Sequence, residues 1–376
     1  MRILVLNYEY PPLGGGAAPV SRDISIQLAK RGHDVTIVTM GFHGLLAYEE
    51  EQGVKIYRLK CLRGKKSSCM PWEQYSYLLA VRHFMKSHMK SHTYDVCHTH
   101  FVIPTGEAAK WVKDKYGIPY VITAHGSDVE GYNSKKYMKI MHRFLRPSWR
   151  KIVKESEGVI APSNYLLSLM KKEYDGGNYI QIPNGLHVKK YSEIADRNKK
   201  EKRILLMGRM QKYKNMQTAI RAVAAVDRSG WMVDILGDGP YRGELEQLVA
   251  ELGLADCVRF HGWIDNNSKE QLAYLQKASV YITASHFENC PMAVLETAAA
   301  GCYPLLSDIP GHRQLIGDDQ YYFAPDDVQG LADKLGKVME KDPAELDCVM
   351  DVSRYDWEQI IRRYEDVLQK VDERDL

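Results

Sequence analysis

The chain has 376 residues, of which 45% are hydrophobic and 26% charged, a composition that excludes disordered and collagen-like proteins. This length predicts two domains, because single cores rarely grow beyond about 250–300 residues. The net charge of +3 is uneven, since residues 1–185 carry 26 Lys and Arg against 16 Asp and Glu, and residues 186–376 carry 25 against 32. The basic half favours phosphate, anionic lipid or nucleic acid as a partner, and drift in surface composition is the alternative.

The first half begins with the pattern of a βαβ unit. Residues 2–6 are an apolar run typical of a buried strand, the cluster Gly14-Gly15-Gly16 follows, and Pro19 is expected to open a helix that Gly32 ends. Further strands are predicted at residues 35–39, 96–98, 120–124 and 158–160. Strands that alternate with helices imply a parallel sheet.

The same alternation restarts in the second half. Predicted strands lie at residues 203–207, 232–236, 258–260, 280–284 and 303–307, and predicted helices at 215–226, 244–252, 291–300 and 357–371. The join between the two α/β domains is placed at the turn sequence Ile182-Pro183-Asn184-Gly185. The charged run of residues 196–203 is expected to be solvated.

No apolar run approaches the roughly 18–20 residues that a membrane-spanning helix needs. The seven cysteines include no Cys-x-x-Cys pair, which argues against a disulfide framework and a structural zinc site. We therefore expect a cytoplasmic protein.

The glycine cluster at residues 14–16 places backbone where a phosphate can approach, although a tight turn is the alternative. It is not the G-x-G-x-x-G fingerprint, and the strand that follows ends without the carboxylate that holds a ribose in dinucleotide-binding folds. There is also no G-x-x-x-x-G-K-[ST] sequence. The patterns of a dehydrogenase and of a P-loop enzyme are therefore both missing.

The segment after the predicted strand 280–284 carries the more specific signal. Pro291 is expected to open a helix whose first N–H groups, those of Met292 and Ala293, form an anion site. Glu296, within this helix, is placed to accept two hydrogen bonds from a vicinal diol such as a ribose, and Glu288 lies in the loop before it. The alternative is that Glu296 is an ordinary acid in the first turns of a helix and Glu288 an exposed loop acid.

A second cluster, Gly208-Arg209 to Lys214, follows the predicted strand 203–207. Arg209 and Lys214 are expected to converge on a phosphate group, and a solvated basic turn is the alternative. Both clusters follow strands at one edge of the sheet, so together they predict a pocket for a diphosphate and a ribose. In the first half, His125 ends a predicted strand and is expected to face the ligand.

The sequence predicts no metal site. It contains no Asp-x-Asp pair, which a magnesium-held nucleotide would usually need. His98 and His100 are expected to alternate across their strand and so not to share an ion. Positive charge must then come from Arg209, Lys214 and the predicted helix start.

Six motifs, in order along nearly the whole chain, resemble those of the retaining family 4 glycosyltransferases. They are the first glycine loop, His125-Gly126-x-Asp128, Ile182-Pro183-Asn184-Gly185, Gly208-Arg209 to Lys214, Gly237-Asp238-Gly239-Pro240, and Glu288-x7-Glu296. The resemblance implies the GT-B fold, an α/β class in which two Rossmann-like doubly wound domains face each other across a deep cleft. Residues 1–184 would bind the acceptor, residues 185–355 the nucleotide sugar, and the helix in residues 356–376 would cross back to the first domain.

The resemblance also implies the roles of single residues. Arg209 and Lys214 would grip the diphosphate, Glu296 the ribose, and Glu288 the hydroxyls of the transferred sugar. His125 would lie at the reacting sugar. The remaining donor contacts would come from backbone at Gly15, Gly16, Gly208, Gly239, Met292 and Ala293.

The implied enzyme is a retaining hexosyltransferase that needs no metal or other cofactor. Its donor would be a nucleoside-diphosphate hexose or N-acetylhexosamine, with a UDP-sugar favoured and GDP-mannose as the alternative. Its acceptor would be a saccharide or a lipid-linked molecule in cell-surface polysaccharide or glycolipid assembly. His187, Asn289-Cys290-Pro291 and Gln314 depart from common family sequences, which leaves the identity of the donor sugar open.

Two basic stretches favour peripheral contact with the anionic inner face of a membrane. The first runs from Arg58 to Lys66 and precedes a predicted helix over residues 73–90. On this helix a basic stripe lies beside apolar side chains; the stripe consists of Arg82, Lys86 and Lys90, and the apolar side chains are Leu78, Leu79, Met85 and Met89. The second runs from Lys135 to Lys151. A solvated helix face is the alternative. Two other functions remain open: a sugar-nucleotide epimerase on the same frame, and nucleic-acid binding, which the acidic second half argues against.

Overall fold

The computed structural model describes residues 1–132, 136–266 and 268–372. It consists of two compact units, one formed by residues 1–185 together with the segment from Trp357 onward, and the other by residues 186–356. The chain thus leaves the first unit after Gly185 and rejoins it at Trp357, in each case one residue after the boundary expected from the sequence.

The first unit contains an eight-stranded sheet with the strand order β3-β4-β2-β1-β5-β6-β7-β8. All neighbouring strands are parallel except β3, which pairs with β4 in an antiparallel hairpin that the sequence patterns did not predict. The strands are β1 (Arg2–Leu6), β2 (Asp34–Met40), β3 (Tyr48–Glu51), β4 (Val54–Leu59), β5 (Val96–His100), β6 (Tyr120–Thr123), β7 (Gly158–Ala161) and β8 (Tyr179–Gln181).

In the described residues of the first unit, helices alternate with the strands of the sheet. They are α1 (Ala17–Lys30), α2 (Pro71–His88), α3 (Thr105–Tyr116), α4 (Lys136–Glu155) and α5 (Asn164–Glu173). The prediction that Pro19 opens α1 is wrong by two residues, because Gly16 is the N-cap and Pro19 lies within the first turn. Proline is tolerated there because the first N–H groups of a helix have no intrahelical acceptor.

The second unit contains a six-stranded parallel sheet with the order β11-β10-β9-β12-β13-β14. Its strands are β9 (Glu201–Met207), β10 (Met232–Leu236), β11 (Val258–Gly262), β12 (Ala278–Thr283), β13 (Tyr303–Ser307) and β14 (Tyr322–Phe323). Its helices are α6 (Val188–Ser192), α7 (Met216–Ala224), α8 (Arg242–Glu251), α9 (Lys269–Lys277), α10 (Met292–Ala299), α11 (Pro310–Arg313) and α12 (Val328–Met339). Short 3₁₀ turns lie at Arg197–Lys199, Lys212–Lys214, Asp319–Tyr321, Pro343–Glu345 and Ser353–Tyr355.

The last helix, α13 (Trp357–Asp372), packs on the first unit. Its apolar face is buried in a cluster that also contains side chains of β1, β2 and α1, and this face consists of Trp357, Ile360, Ile361, Tyr364, Leu368 and Val371. A Cβ on Gly185 would lie 2.3 Å from the Trp357 ring, so the glycine leaves the room that the indole occupies.

The strand order of each sheet reverses at one pair of neighbouring strands, β1 and β5 in the first unit and β9 and β12 in the second. At such a switch point the loops that follow the two strands diverge, and open α/β sheets bind their ligands there. The predicted glycine loop follows β1, the Gly208 to Lys214 segment follows β9, and the Glu288 loop follows β12. These three predicted segments therefore lie at the switch point of their own sheet, whereas the His125 segment follows β6, one strand further along.

The charged run of residues 196–203 was expected to be solvated, but Lys200 within it is buried. Its Nζ donates to the carbonyl oxygens of Leu275 (3.0 Å), Ala278 (2.7 Å) and Ala300 (2.8 Å). These carbonyls lie at the C-terminal ends of α9 and α10, where helices have unsatisfied acceptors and a negative dipole end. Lys200 therefore joins the ends of two helices of the second unit.

Replacement of Lys200 by methionine should destabilise the second unit. The side chain would keep its length but leave buried carbonyls without a donor, so we expect the free energy of unfolding to fall by about 2–4 kcal/mol. Urea denaturation would measure this change. The matched control is Lys199→Met, because the side chain of Lys199 is 58% exposed. Equal unfolding midpoints for the two variants would contradict the structural role of Lys200.

Candidate functional site

The structure brings together two side chains that the sequence analysis assigned to the site, Lys214 and Glu288. Lys214 ends the 3₁₀ turn after β9, and Glu288 lies in the loop after β12. The Lys214 ammonium donates to Glu288 Oε1, and the Ser285 hydroxyl donates to the same oxygen over 2.8 Å. The adjacency of β9 and β12 therefore joins residues 74 positions apart in the chain.

Each member of this pair keeps the other ionised. Burial is the largest single effect on the pKa of Glu288 and raises it, but the charge of Lys214 and weaker contributions from neighbouring groups together outweigh it, so the net shift is downward. Burial is the largest single effect on the pKa of Lys214 and lowers it, but the charge of Glu288, its hydrogen bond and the contribution of Tyr213 together reverse that shift. At neutral pH the site therefore holds an ammonium and a carboxylate in contact.

Glycines shape the backbone around Lys214. A Cβ on Gly208 would approach the Lys214 side chain to 3.9 Å, and a Cβ on Gly237 would collide with the Gly208 carbonyl oxygen at 2.0 Å. Gly239 has a φ of +159°, and a Cβ there would lie 2.3 Å from the Met210 carbonyl oxygen. The packing of two loops accounts for glycine at residues 237 and 239. Contact of Gly208 and Gly239 with a ligand stays a prediction.

Arg209 and the start of α10 provide the remaining positive groups. Arg209 is exposed and makes no hydrogen bond or ion pair within the part of the chain that the structure describes. Pro291 is the N-cap of α10 rather than its first residue. The N–H groups of Met292 and Ala293 follow it and donate to no acceptor in the described ranges, so they remain able to bind an anion.

Glu296 is buried in α10, where the Gln271 amide donates to its Oε2 over 3.2 Å. Burial raises the pKa of Glu296 to about 7, while hydrogen bonds from Tyr191 and Gln271 act in the opposite direction. This carboxyl group is therefore poised between its protonated and ionised forms near neutral pH, a property that the sequence patterns could not indicate.

His312 also lies beside Glu288, with which it interacts electrostatically, although no sequence motif indicated it. It is buried in α11, the short helix that follows β13, next to Gly311. A Cβ on Gly311 would lie 2.1 Å from the Glu288 carbonyl oxygen, so this segment packs directly on the Glu288 loop. The rule that identified the loops after β9 and β12 applies equally to the loop after β13 and would have indicated His312.

In the first unit, Asp128 holds the loop that carries His125. Its carboxylate accepts hydrogen bonds from the N–H groups of Val102 (2.7 Å), His125 (3.2 Å) and Gly126 (2.9 Å). Burial raises the pKa of Asp128, while these three donors act in the opposite direction. The aspartate of the His125-Gly126-x-Asp128 motif therefore has a structural role as an anchor of the loop.

The prediction that His98 and His100 face opposite sides of their strand is wrong. Residues i and i+2 of a strand share a face, and the two ring centres are 4.5 Å apart. His100 Nδ1 lies 3.0 Å from His125 Nε2, and the two rings stack. Burial lowers the pKa of His98 to about 4 and that of His125 to about 3, and it also lowers the pKa of His100. All three imidazoles are therefore neutral at neutral pH.

The first glycine loop leaves open space for a ligand at two positions. A Cβ on Gly15 or Gly16 would meet nothing within 4 Å. Gly14 differs, because its φ is +102° and a Cβ there would lie 2.6 Å from the Glu9 side chain. The Gly15 N–H donates to Glu9 Oε2 over 3.2 Å. Gly14 is thus required by local packing, whereas ligand contact at Gly15 and Gly16 stays a prediction.

Within residues 1–132, 136–266 and 268–372, no group of three or more His, Cys, Asp or Glu side chains is placed to hold a metal ion. In the same ranges, no helix is long and apolar enough to cross a membrane.

Gln314, which replaces a frequent family glutamate, donates through its amide to the Asn289 carbonyl oxygen. An ionised glutamate has no proton with which to make this hydrogen bond.

Comparison with known proteins assigns the chain to a family. The family model "Glycosyltransferase Family 4" matches residues 14–190, and the model "Glycosyl transferases group 1" matches residues 188–351. The chain belongs to family 4 of the glycosyltransferases. Because these enzymes transfer sugars, the prediction of a hexosyltransferase is confirmed and the epimerase alternative is set aside.

The relatives of this glycosyltransferase include lipid-modifying enzymes. It is 27% identical to alpha-monoglucosyldiacylglycerol synthase of Streptococcus pneumoniae, over 88% of this chain and 77% of the relative. It is 25% identical to a GDP-mannose:cellobiosyl-diphosphopolyprenol alpha-mannosyltransferase of Xanthomonas campestris, over 97% and 96% of the two chains. Sucrose-phosphate synthase of Thermosynechococcus elongatus superposes with a TM-score of 0.81 at 19% identity, over 99% of both chains. The predicted GT-B fold class is thereby confirmed.

The basic surface of the glycosyltransferase is smaller than the sequence analysis expected. Arg58 is buried and donates to Pro11 O and Glu49, and Arg63 donates to the carbonyl oxygens of Lys65 and Lys66. Arg63 thus holds its own loop, because backbone acceptors in an irregular segment need donors, whereas Arg58 joins β4 to β3 and to the loop after β1.

The predicted helical stripe needs correction too. Met85 lies in the core, and α2 ends before Lys90. In the second basic stretch, Arg146 and Arg150 pair with Glu173. Lys135 and the side chains of Lys136 and Lys139 lie outside the described residues.

Donor binding by this glycosyltransferase should weaken as the pH falls through 7. A ribose diol donates to an ionised carboxylate, and the raised pKa of Glu296 means that a proton must leave before binding at lower pH. One linked proton predicts a dissociation constant about tenfold higher at pH 6 than at pH 8. Calorimetry with a nucleoside-diphosphate sugar would measure this, because its phosphates do not titrate in this range.

The control for this pH dependence is Glu296→Gln. This variant should bind the donor more weakly, with an affinity that does not vary between pH 6 and pH 8. If the variant kept the slope of the wild-type protein, the titrating group would be another residue.

Proposed function

We propose that the protein is a retaining, metal-independent glycosyltransferase that moves a hexose or N-acetylhexosamine from a nucleoside-diphosphate sugar to an acceptor hydroxyl. A UDP-sugar is the favoured donor, and GDP-mannose is the alternative. The observation that carries this proposal is the Lys214–Glu288 ion pair at the β9–β12 switch point, beside the free N–H groups of α10. Together these groups offer cationic donors to a diphosphate and an ionised acceptor to sugar hydroxyls.

The proposed chemistry is cleavage of the bond between the anomeric carbon and the diphosphate oxygen. Negative charge grows on the departing diphosphate, so groups fixed around it lower the barrier. Lys214 is already oriented by Glu288, Arg209 is exposed without a partner in the described ranges, and Met292 and Ala293 provide backbone donors. These residues take the place of a metal ion in the proposal.

Retention requires the acceptor hydroxyl to approach the face from which the diphosphate leaves. We propose that the departing phosphate oxygen receives the hydroxyl proton, because it gains negative charge as the bond breaks. Burial holds the His125 imidazole neutral, so His125 would contribute one hydrogen bond to the reacting sugar rather than a positive charge.

A donor screen tests the proposed function. Nucleoside diphosphates and their sugars that bind the folded protein should raise its melting temperature by mass action, and the true donor should raise it most. With that donor, Arg209→Ala and Lys214→Ala should each reduce kcat by about 10²–10³, as removal of a single oxyanion donor does. Product analysis by mass spectrometry would identify the transferred sugar.

The matched control in the same turn is Lys212→Ala, because Lys212 is exposed and is not assigned to the diphosphate. Turnover close to that of the wild-type protein in both the Arg209 and Lys214 variants would remove the assignment of the site. A chelator such as EDTA should leave the rate unchanged, and loss of activity with EDTA would refute the metal-free mechanism.

A lipid-linked acceptor is proposed because of one surface of the first unit. Four large apolar side chains there are 48–64% exposed, and we call them the α2 surface: Leu62, Trp72, Tyr75 and Leu79. The Leu62 N–H donates to the Ser76 hydroxyl over 3.0 Å, which fixes the loop against the helix. Lys65, Lys66 and Lys86 are exposed on the same loop and helix. Aromatic and basic side chains in one surface suit the interface of an anionic membrane.

Vesicle flotation tests the role of the α2 surface. At low salt we expect the protein to float with vesicles that contain phosphatidylglycerol and to remain free with pure phosphatidylcholine. Combined Trp72→Ser, Tyr75→Ser and Leu79→Ser substitutions should abolish flotation, because they remove the apolar contacts. The control is Trp263→Ser in the second unit, where the tryptophan is 67% exposed. Failure of the wild-type protein to bind anionic vesicles at low salt would reject the membrane proposal.

A further inference from the structure

The protonation of His312 follows from its surroundings. Its Nδ1 lies 2.8 Å from the Ser307 carbonyl oxygen, which accepts hydrogen bonds and cannot donate them. The proton of the neutral ring is therefore on Nδ1, and Nε2 carries a lone pair. Burial lowers the pKa of His312, although Glu288 acts in the opposite direction, so the ring is neutral at neutral pH.

The Nε2 atom of His312 is a buried acceptor without a donor. It is inaccessible to solvent and has no hydrogen-bond partner within the described part of the chain. An unsatisfied buried polar atom destabilises a protein, so such an atom calls for a functional or structural reason.

A short chain of hydrogen bonds links His312 to the Lys214–Glu288 pair. The Ser307 hydroxyl donates to the Ser285 carbonyl oxygen over 2.6 Å, and the Ser285 hydroxyl donates to Glu288 Oε1 over 2.8 Å. The adjacent Gly311 packs on the Glu288 backbone. His312 therefore belongs to the same small group of residues as the carboxylate assigned to the sugar.

The missing partner must bring a hydrogen-bond donor. An ionised diphosphate has no proton to give, and the Glu288 carboxylate is held in its ionised form. The ribose hydroxyls are assigned to Glu296, whose known contacts are with Gln271 and Tyr191. Lys214 is a donor already present beside Glu288, and its ammonium is directed to that carboxylate. Among the parts of the proposed sugar nucleotide that would lie beside Glu288, the hydroxyls of the transferred sugar are the ones able to donate.

We propose that His312 Nε2 accepts a hydrogen bond from a hydroxyl of the transferred sugar and so takes part in selecting that sugar. This inference rests on the proposed function and adds a specificity residue to it. Glu288 and His312 together would present a charged and a neutral acceptor to two sugar hydroxyls, a pattern that a sugar lacking one of them would not satisfy.

The test variant is His312→Asn. An asparagine amide can keep the donation to the Ser307 carbonyl oxygen but has no acceptor at the position of Nε2. Two probes are used. The first is whichever of UDP-glucose, UDP-galactose, UDP-N-acetylglucosamine and GDP-mannose stabilises the wild-type protein most. The second is the corresponding nucleoside diphosphate without the sugar. We expect affinity for the sugar-bearing probe to fall about 3- to 10-fold, while affinity for the nucleoside diphosphate is unchanged.

Deoxy analogues of the same donor identify the hydroxyl. At one ring position, replacement of hydroxyl by hydrogen should weaken binding to the wild-type protein but not to His312→Asn, because the variant has already lost that contact. If every deoxy substitution weakened binding to the wild-type protein and to His312→Asn by the same factor, the inference would be overturned. A buried water would then be the partner of Nε2 instead.

A measurement on the wild-type protein covers the case in which the variant does not fold. In ¹⁵N-histidine NMR, the Nε2 signal of His312 should move when the sugar-bearing probe binds and stay in place with the nucleoside diphosphate. Equal changes of the Nε2 signal with both probes would overturn this inference and leave the proposed function intact. Absence of binding by either probe would refute the proposed function, and the inference with it.

Discussion

The ion pair between Lys214 and Glu288 is the interaction on which the second unit's site depends. Two partly buried charges stabilise a fold little by themselves, because their mutual attraction is offset by the loss of hydration. Loss of one partner would leave the other buried and unpaired. The pair holds a cation and an anion at fixed positions, and this arrangement is the one on which the proposed ligand site rests.

The strand order explains why the groups of this pair meet. β9 and β12 are neighbours although two strands and three helices separate them in sequence. Loops after neighbouring parallel strands emerge at the same edge, and here they bring Lys214, Ser285 and Glu288 into hydrogen-bonding distance. The next strand, β13, adds His312 to that edge. The site is thus a property of the sheet rather than of any one motif.

Much of the fold could be predicted because its signals are local. Strands β10 and β13 match their predicted ranges residue for residue, since compact apolar runs between turn residues define both. The β3–β4 hairpin was missed because Glu49, Glu50 and Glu51 give its edge strand no apolar alternation. The error at His98 and His100 was one of geometry, because the two-residue period of a strand places both on one face.

The protonation states and the burial of key side chains could not be predicted from the sequence, for a different reason. The neutral ring of His125, the near-neutral pKa of Glu296 and the burial of Lys200 all depend on which distant segments surround the side chain. No pattern within a segment carries that information. Sequence motifs indicate the residues of the site, whereas tertiary packing determines their protonation states and their hydrogen-bond partners.

The glutamates of β3 also bear on how the protein behaves at high concentration. An outermost strand has backbone groups on one side that could pair with the same strand of another molecule and start a continuous sheet. Glu49 and Glu51 are paired with Arg58 and Arg22, so two copies of β3 laid side by side would bring these ion pairs and the Glu50 carboxylates against each other. Charged side chains on an edge strand disfavour that association, so the open margin of the first sheet resists growth into aggregates.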